Sequence, residues 1–349
     1  MFLWITTRNR RRPPILSGRA AFHHAPCRIE GIGDAVERAA SAEPRLHRAV
    51  GLSGLSGRPA GWQGHGAPPL RARAGFSLIE LLVVIVIIGI LAALLLPTLS
   101  RAQAKAQGIQ CMNHHRQLML AWRMYAEDNH DRLLYASGDD NPANNPYVWI
   151  TGYLDYDPAN RSNWDIAQDI KKSPLWPYCG AAAGIWKCPA DKSTVTVNGQ
   201  VLPRVRSMSM NLWVGGFAGK VDLDGPGWRV YLNMHDLVDP GPAQTFVLLD
   251  EREDMINLGN LFVDMRGFPN TPALLQFYVD YPASYHNRAG GLSFADGHSE
   301  IKPWLDPRTC PPVKKGVAEW LPDQPTPSPN NPDITWLQQR CTRRINAER

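Results

Sequence analysis

Gly75-Phe76-Ser77-Leu78-Ile79-Glu80, running on through the apolar stretch Leu81 to Leu96 and closed by Pro97, is the segment from which the rest of the chain is read. Between Phe76 and Leu99 only Ser77, Glu80 and Thr98 carry polar side chains. About 20 apolar residues, each rising about 1.5 Å in a helix, cross the hydrocarbon core of a bilayer, so the stretch predicts a membrane helix. Glu80 is the anomaly, because an ionised carboxylate in hydrocarbon is costly and persists only where something pairs with it or discharges it. Cleavage between Gly75 and Phe76 would supply a partner: the new α-amino group of Phe76, either in the same chain or in a neighbouring subunit.

Arg71 and Arg73, then Gly75, Phe76, Glu80 and an apolar run containing Pro97, resemble the processing and assembly segment of type IV prepilins and type II secretion pseudopilins. The resemblance implies a leader cut after Gly75 by a membrane prepilin peptidase and N-methylation of Phe76. It further implies that Glu80 guides packing of each subunit into a helical filament. The implied partners are the peptidase, other pilin or pseudopilin subunits and an inner-membrane assembly platform. The implied location is the bacterial inner membrane, single-pass, with the C-terminal domain in the periplasm or on a filament.

Outward from this segment, the chain divides unevenly. The net charge of +5 over 349 residues comes from the N-terminal stretch, where residues 1–75 hold 12 Arg against 4 acidic residues. That stretch is +8, which leaves −3 for the remainder, so a nucleic-acid partner is not expected. Arginines beside a membrane helix hold that end in the cytoplasm. Residues 1–75 show no helical or strand period and read as a disordered leader or as the product of a misassigned start.

Residues 76–99 are expected to be the membrane helix and 100–130 its amphipathic continuation. Cys111, Leu118, Trp122 and Tyr125 fall on one narrow arc at 3.6 residues per turn, while Arg101, Lys105, Gln110, Asn113, Arg116 and Glu127 are polar. One helix from Phe76 to about Glu127 would be about 78 Å long. Pro97, which lacks an amide donor, should loosen it near the membrane surface. The run Asp128-Asn129-His130-Asp131 should end it.

Residues 131–310 read as a β-rich periplasmic body, and 30 Pro, 29 Gly and 12 Trp suit many turns. Strands are expected at Tyr147–Ile150, Arg204–Trp213, Thr245–Leu249, Leu261–Asp264 and Gln276–Val279. Strands that follow one long helix without alternating helical stretches predict an α+β fold, with an antiparallel sheet laid against the helix. The proline-rich tail, 311–349, should be mostly extended as far as Asp333, with a short helix from Ile334 to Arg343.

A second set of residues resembles a group of large prepilin-like proteins marked by a histidine nine residues ahead of an Asp-Gly pair. Here these are Cys111, Gln117, Tyr125-Ala126-Glu127-Asp128-Asn129, Cys188-Pro189-Ala190-Asp191, Ser207 to Asn211, Asp250-Glu251, and His286 with Asp296-Gly297. The resemblance assigns no activity. Read physically, Arg288 to Gly291 is a flexible turn, Leu292 to Ala295 a strand, and Asp296-Gly297 a tight hairpin turn.

His286, Asp296 and His298 would then be candidate ligands for zinc or a similar ion. The plainer alternative has His286 bonding turn backbone and Asp296-Gly297 making the turn. Asp250, Glu251 and Asp254 are candidate calcium ligands, against a plainer reading as solvated loop charges.

Cys111, Cys179, Cys188, Cys310 and Cys341 follow the cleavage point, an odd number for an oxidising compartment. The expected disulfides are Cys310 with Cys341, and Cys188 with either Cys111 or Cys179. No Gly-x-Ser-x-Gly elbow, phosphate-binding glycine loop or His-Glu-x-x-His helix is present, so no enzyme is expected. A structural filament subunit is the first reading. The alternative is a membrane-tethered binding or hydrolytic domain that uses the prepilin route for delivery, and a mere anchor would have no need of Glu80.

Overall fold

The computed structural model describes residues 77–225, 227–319 and 324–345. Gly75 and Phe76, the leader and the last four residues lie outside them. Helix α1 runs unbroken from Leu78 to Asp128. It starts at Ser77 with reciprocal caps: the Ser77 hydroxyl accepts from the Glu80 amide at 3.2 Å, and Glu80 Oε2 accepts from the Ser77 amide at 2.8 Å. These bonds satisfy amide groups that a helix start otherwise leaves unpaired. The helix continues through Pro97, and the Thr98 hydroxyl donates to the Leu95 carbonyl at 2.8 Å. It ends at Asn129, where His130 and Asp131 turn left-handed, with φ of 58° and 63°.

The two halves of α1 meet different surroundings. Leu78 to Leu96 are exposed around the whole circumference wherever the side chain is described. From Gly108 onward one face is buried, at Cys111, His115, Leu118, Met119, Trp122, Tyr125 and Ala126. Spacings of three and four residues put these side chains on a single stripe. The stripe lies across the central sheet.

The strands are β1 (Thr194–Val197), β2 (Gln200–Pro203), β3 (Met208–Asn211), β4 (Phe246–Asp250), β5 (Asn260–Leu261), β6 (Gln276–Tyr278), β7 (Ala289–Phe294), β8 (Ser299–Pro303) and β9 (Pro325–Pro327). A short helix α2 spans Pro332–Gln338. The central sheet has the order β5-β3-β4-β7-β8 and is antiparallel except for the parallel pair β3–β5. Helix α1 packs on β7 and β8 and reaches β4. The expected α+β, pilin-like architecture is therefore what the chain adopts, with one parallel edge pair in the sheet.

Several local expectations are corrected. Tyr147–Ile150 is not a strand: Pro142–Tyr147 is a 3₁₀ turn, and only Val148 bridges to Tyr135. Of Arg204–Trp213 only β3 is a strand, because the Arg204, Val205 and Ser207 amides donate to loop carbonyls of Ser193, Asn163 and Trp186. Leu261–Asp264 shortens to β5. Gly290 and Gly291 belong to β7 and not to a turn.

The tail is tied to the body as well as extended. β9 pairs with β6, the Arg252 guanidinium donates to the Pro311 and Pro312 carbonyls, and buried Asp333 accepts from the Leu305 and Asp306 amides. The β1–β2 hairpin turns at Asn198-Gly199, with φ of 49° and 81°, the two-residue turn that an Asn-Gly pair favours.

The stripe on α1 makes a direct prediction. Leu118 is fully buried, whereas Leu120, two residues on, is 61 % exposed. Leu118→Ala should cost about 2–5 kcal/mol in denaturant unfolding of the detergent-extracted protein. Leu120→Ala should stay within about 0.5 kcal/mol. Equal effects would mean that the helix does not seat on this face.

Candidate functional site

The first site is the head of α1. Glu80 is fixed by its own helix start, with its carboxylate folded back over the Ser77 amide. A carboxylate at a helix N-terminus also meets the positive end of the helix dipole.

The second site is interior. Cys111 from α1, Cys188 from the loop after Trp186, Asp250 at the end of β4 and His286 just ahead of β7 converge, with all four buried. One donor atom from each lies within 4.8 Å of every other. The Cys111 thiol donates to Asp250 Oδ2 at 2.8 Å, and Cys188 Sγ lies 3.2 Å from His286 Nε2.

Ser207 supports two of the four side chains. Its hydroxyl accepts from the Cys188 amide at 2.7 Å and donates to Asp250 Oδ1 at 3.2 Å. His115, one helical turn after Cys111, places Nε2 3.5 Å from Asp250 Oδ2 and Nδ1 3.2 Å from the Ser293 hydroxyl. Gly291 forms the floor. A Cβ there would lie 2.7 Å from Asp250 Oδ2, 2.9 Å from Cys111 Sγ and 2.9 Å from His115 Nε2.

The electrostatics follow from burial and proximity. The neighbouring Cys188 thiol, burial and Asp250 push Cys111 far above the ordinary thiol range. Burial raises Cys188, although its contact with Cys111 acts the other way. Burial lowers His286, against the attraction of Asp250. Burial acts to raise Asp250, but His115 and the Cys111 thiol outweigh it and hold the carboxyl below its usual range. By itself the cluster is therefore a carboxylate among neutral thiols and imidazole.

The other residues singled out in the sequence lie elsewhere. Asp296 and His298 follow β7, at the opposite end of that strand from His286, and pair with each other at 2.6 Å. His298 stacks on Phe294 with ring centroids 4.2 Å apart, and Arg123 of α1 donates to the Asp296 carbonyl at 2.7 Å. The turn is a hairpin, as expected, but its loop is three residues long, closed by the Phe294 amide on the His298 carbonyl and the Gly297 amide on the Phe294 carbonyl.

Asp250, Glu251 and Asp254 do not converge either. Glu251 takes the Ser209 hydroxyl on the opposite face of β4, and Asp254 forms a two-bond ion pair with Arg252. Burial, with Asp280 as a like-charged neighbour, raises the Glu251 carboxyl well above its usual range.

The five described cysteines are all free thiols. Cys341 faces Met265 and the Gln338 carbonyl, while burial raises the Cys310 thiol above its ordinary range. The Cys310–Cys341 bridge is thus not formed, and Cys188 meets Cys111 as a thiol beside a thiol. Sequence reading passed over His115 and Gly291. His115 had a readable signal, its position four residues after Cys111 on the buried stripe.

Residues 70–96 match the family model of the prokaryotic N-terminal methylation motif, the signature of type IV prepilins and pseudopilins. The match covers Gly75, Phe76 and Glu80 and does not extend to His286 or Asp296-Gly297. No curated protein and no solved structure matches the chain. The chain carries a prepilin-type signal leading into one helix long and apolar enough to cross a membrane.

Gly297 has φ of 98°, which an L side chain rarely adopts. Gly297→Val should therefore destabilise the head by at least about 1–2 kcal/mol in thermal or denaturant melts, through backbone strain alone. A neutral effect would show that the hairpin can adopt another turn.

Proposed function

We propose that this protein is a pseudopilin- or prepilin-like structural subunit, cleaved between Gly75 and Phe76 and assembled through α1 into a type II secretion-like or type IV pilus-like filament. The observation that carries the reading is the two-sided character of α1. Its first half is apolar around the whole circumference and touches nothing else in the described chain, so it needs lipid before assembly and other subunits after it. Its second half is bound to the head. The match to the methylation motif supports the same reading from the sequence side.

In this reading Arg71 and Arg73 keep the leader cytoplasmic, where the peptidase acts. The head lies in the periplasm or on the filament. Glu80 then has a role that lipid anchoring alone would not require: it neutralises the α-amino group of Phe76 in its own or a neighbouring subunit. The competing reading, a tethered binding or hydrolytic domain, would need α1 only as an anchor.

Two outcomes test the proposal. Peptide mass spectrometry of membrane-extracted protein should find Phe76 as an N-methylated N-terminus, and an intact leader in cells with active prepilin peptidase would refute the processing step. Glu80→Ala should leave membrane insertion and cleavage unchanged but lower recovery in sheared or cross-linked filament fractions by about tenfold, the effect of losing a contact worth about 1.4 kcal/mol. Equal recovery of the variant would favour the anchor reading.

A further inference from the structure

We propose that Cys111, Cys188, Asp250 and His286 bind one transition metal ion of the zinc class, and that this ion fastens the second half of α1 to the head. The site is independent of filament assembly and distinct from the hairpin residues Asp296 and His298. Two thiols, a carboxylate and an imidazole come from four separate segments, are buried, and lie within 4.8 Å of one another. An apolar core has no use for such a set, since a buried carboxylate and imidazole are costly unless their polar atoms are matched.

The matching is incomplete. His286 Nδ1 and His115 Nε2 are buried and have no hydrogen-bond partner. With His286 Nε2 facing Cys188, its Nδ1 lies on the side of a cleft of about 640 Å³ lined by Arg101, Lys105, Gly108, Met112 and Ile301.

Geometry and donor type narrow the ion. Zinc bonds of about 2.3 Å to sulfur and about 2.0–2.1 Å to nitrogen or oxygen give a tetrahedron with donor–donor edges of about 3.3–3.8 Å. The Cys111–Asp250 and Cys188–His286 contacts, at 2.8 and 3.2 Å, are slightly tighter than that, and the widest separation, up to 4.8 Å, is looser. Side-chain movements of about 1 Å would make the edges equal.

Two sulfur donors exclude a calcium or magnesium site, because those ions take oxygen. Around the four ligands the supports are already present. Ser207 holds Asp250 and the Cys188 backbone, and His115 Nε2 lies 3.5 Å from Asp250 Oδ2 without a formed hydrogen bond. Such outer contacts orient ligands and are a regular part of metal sites. Gly291 keeps the floor free of a Cβ that would collide with Asp250, Cys111 and His115. Binding exchanges two thiol protons for the cation, and no oxidation is involved.

The test uses the full chain, extracted in detergent without chelators. Elemental analysis should find about one zinc per chain in the unaltered protein and less than about a tenth of that in Cys188→Ser and His286→Ala. Asp296→Ala and His298→Ala should retain it. A chelator should lower the melting temperature of the unaltered protein by several degrees and leave that of Cys188→Ser unmoved.

A variant-free arm adds Co²⁺ to the reduced, metal-stripped protein and looks for a thiolate-to-cobalt charge-transfer band. Absence of both zinc in the extracted protein and the cobalt band would overturn the proposal. So would a Cys111–Cys188 disulfide in thiol-blocked protein taken directly from cells, or loss of the zinc in the Asp296 and His298 variants.

Discussion

A single helix that must satisfy two surroundings governs this molecule. The first half of α1 has apolar side chains on every side and a single carboxylate at its start, so it suits hydrocarbon or the cover of other apolar surface. The second half has one apolar stripe, and that stripe is covered by the molecule's own sheet. No break separates the two regimes, and the helix runs on past Pro97 although that residue donates no amide bond.

The head answers the demands of that helix. Its central sheet presents β7 and β8 to α1, and both glycines near the start of β7 are places of close approach. At Gly291 the helix and sheet come so near that Cys111 and His115 from one side and Asp250 from the other occupy the space where a side chain would stand. The polar cluster there sits at the join between helix and head. Cys188 and His286 bring two more segments to the same point, so helix, sheet and two loops are held by one group of side chains. An ion at that point would tie the join with bonds stronger than packing alone, in a head that spends much of its length in loops and 3₁₀ turns.

Local signals in the chain were legible where the physics is local. The end of the helix at Asp128 to Asp131, the stripe through Leu118, Trp122 and Tyr125, and the hairpin at Asp296-Gly297 each depend on residues within a few positions of one another. Asn198-Gly199 is a turn signal of the same kind. Strand boundaries were less legible, because a segment such as Arg204 to Ser207 has strand-like composition but finds its hydrogen-bond partners in loops. The hairpin histidine and aspartate looked like ligands because they are near His286 in sequence. An extended strand of six residues separates them in space.

By itself the sequence determined the membrane-length helix, the prepilin-type segment, the amphipathic continuation and the α+β class. Each is written in periodicity or in a short motif, and backbone geometry converts such patterns directly into structure. Only the tertiary structure decided that Cys111 meets Asp250 across 139 residues and that Cys188 meets His286 across 98. Those meetings depend on the order β5-β3-β4-β7-β8, on which face of β4 Asp250 occupies, and on how the Cys188 loop folds over the helix. Alternation along β4 sends Asp250 toward the helix and Glu251 away from it, which separates two adjacent carboxylates that look alike in the sequence.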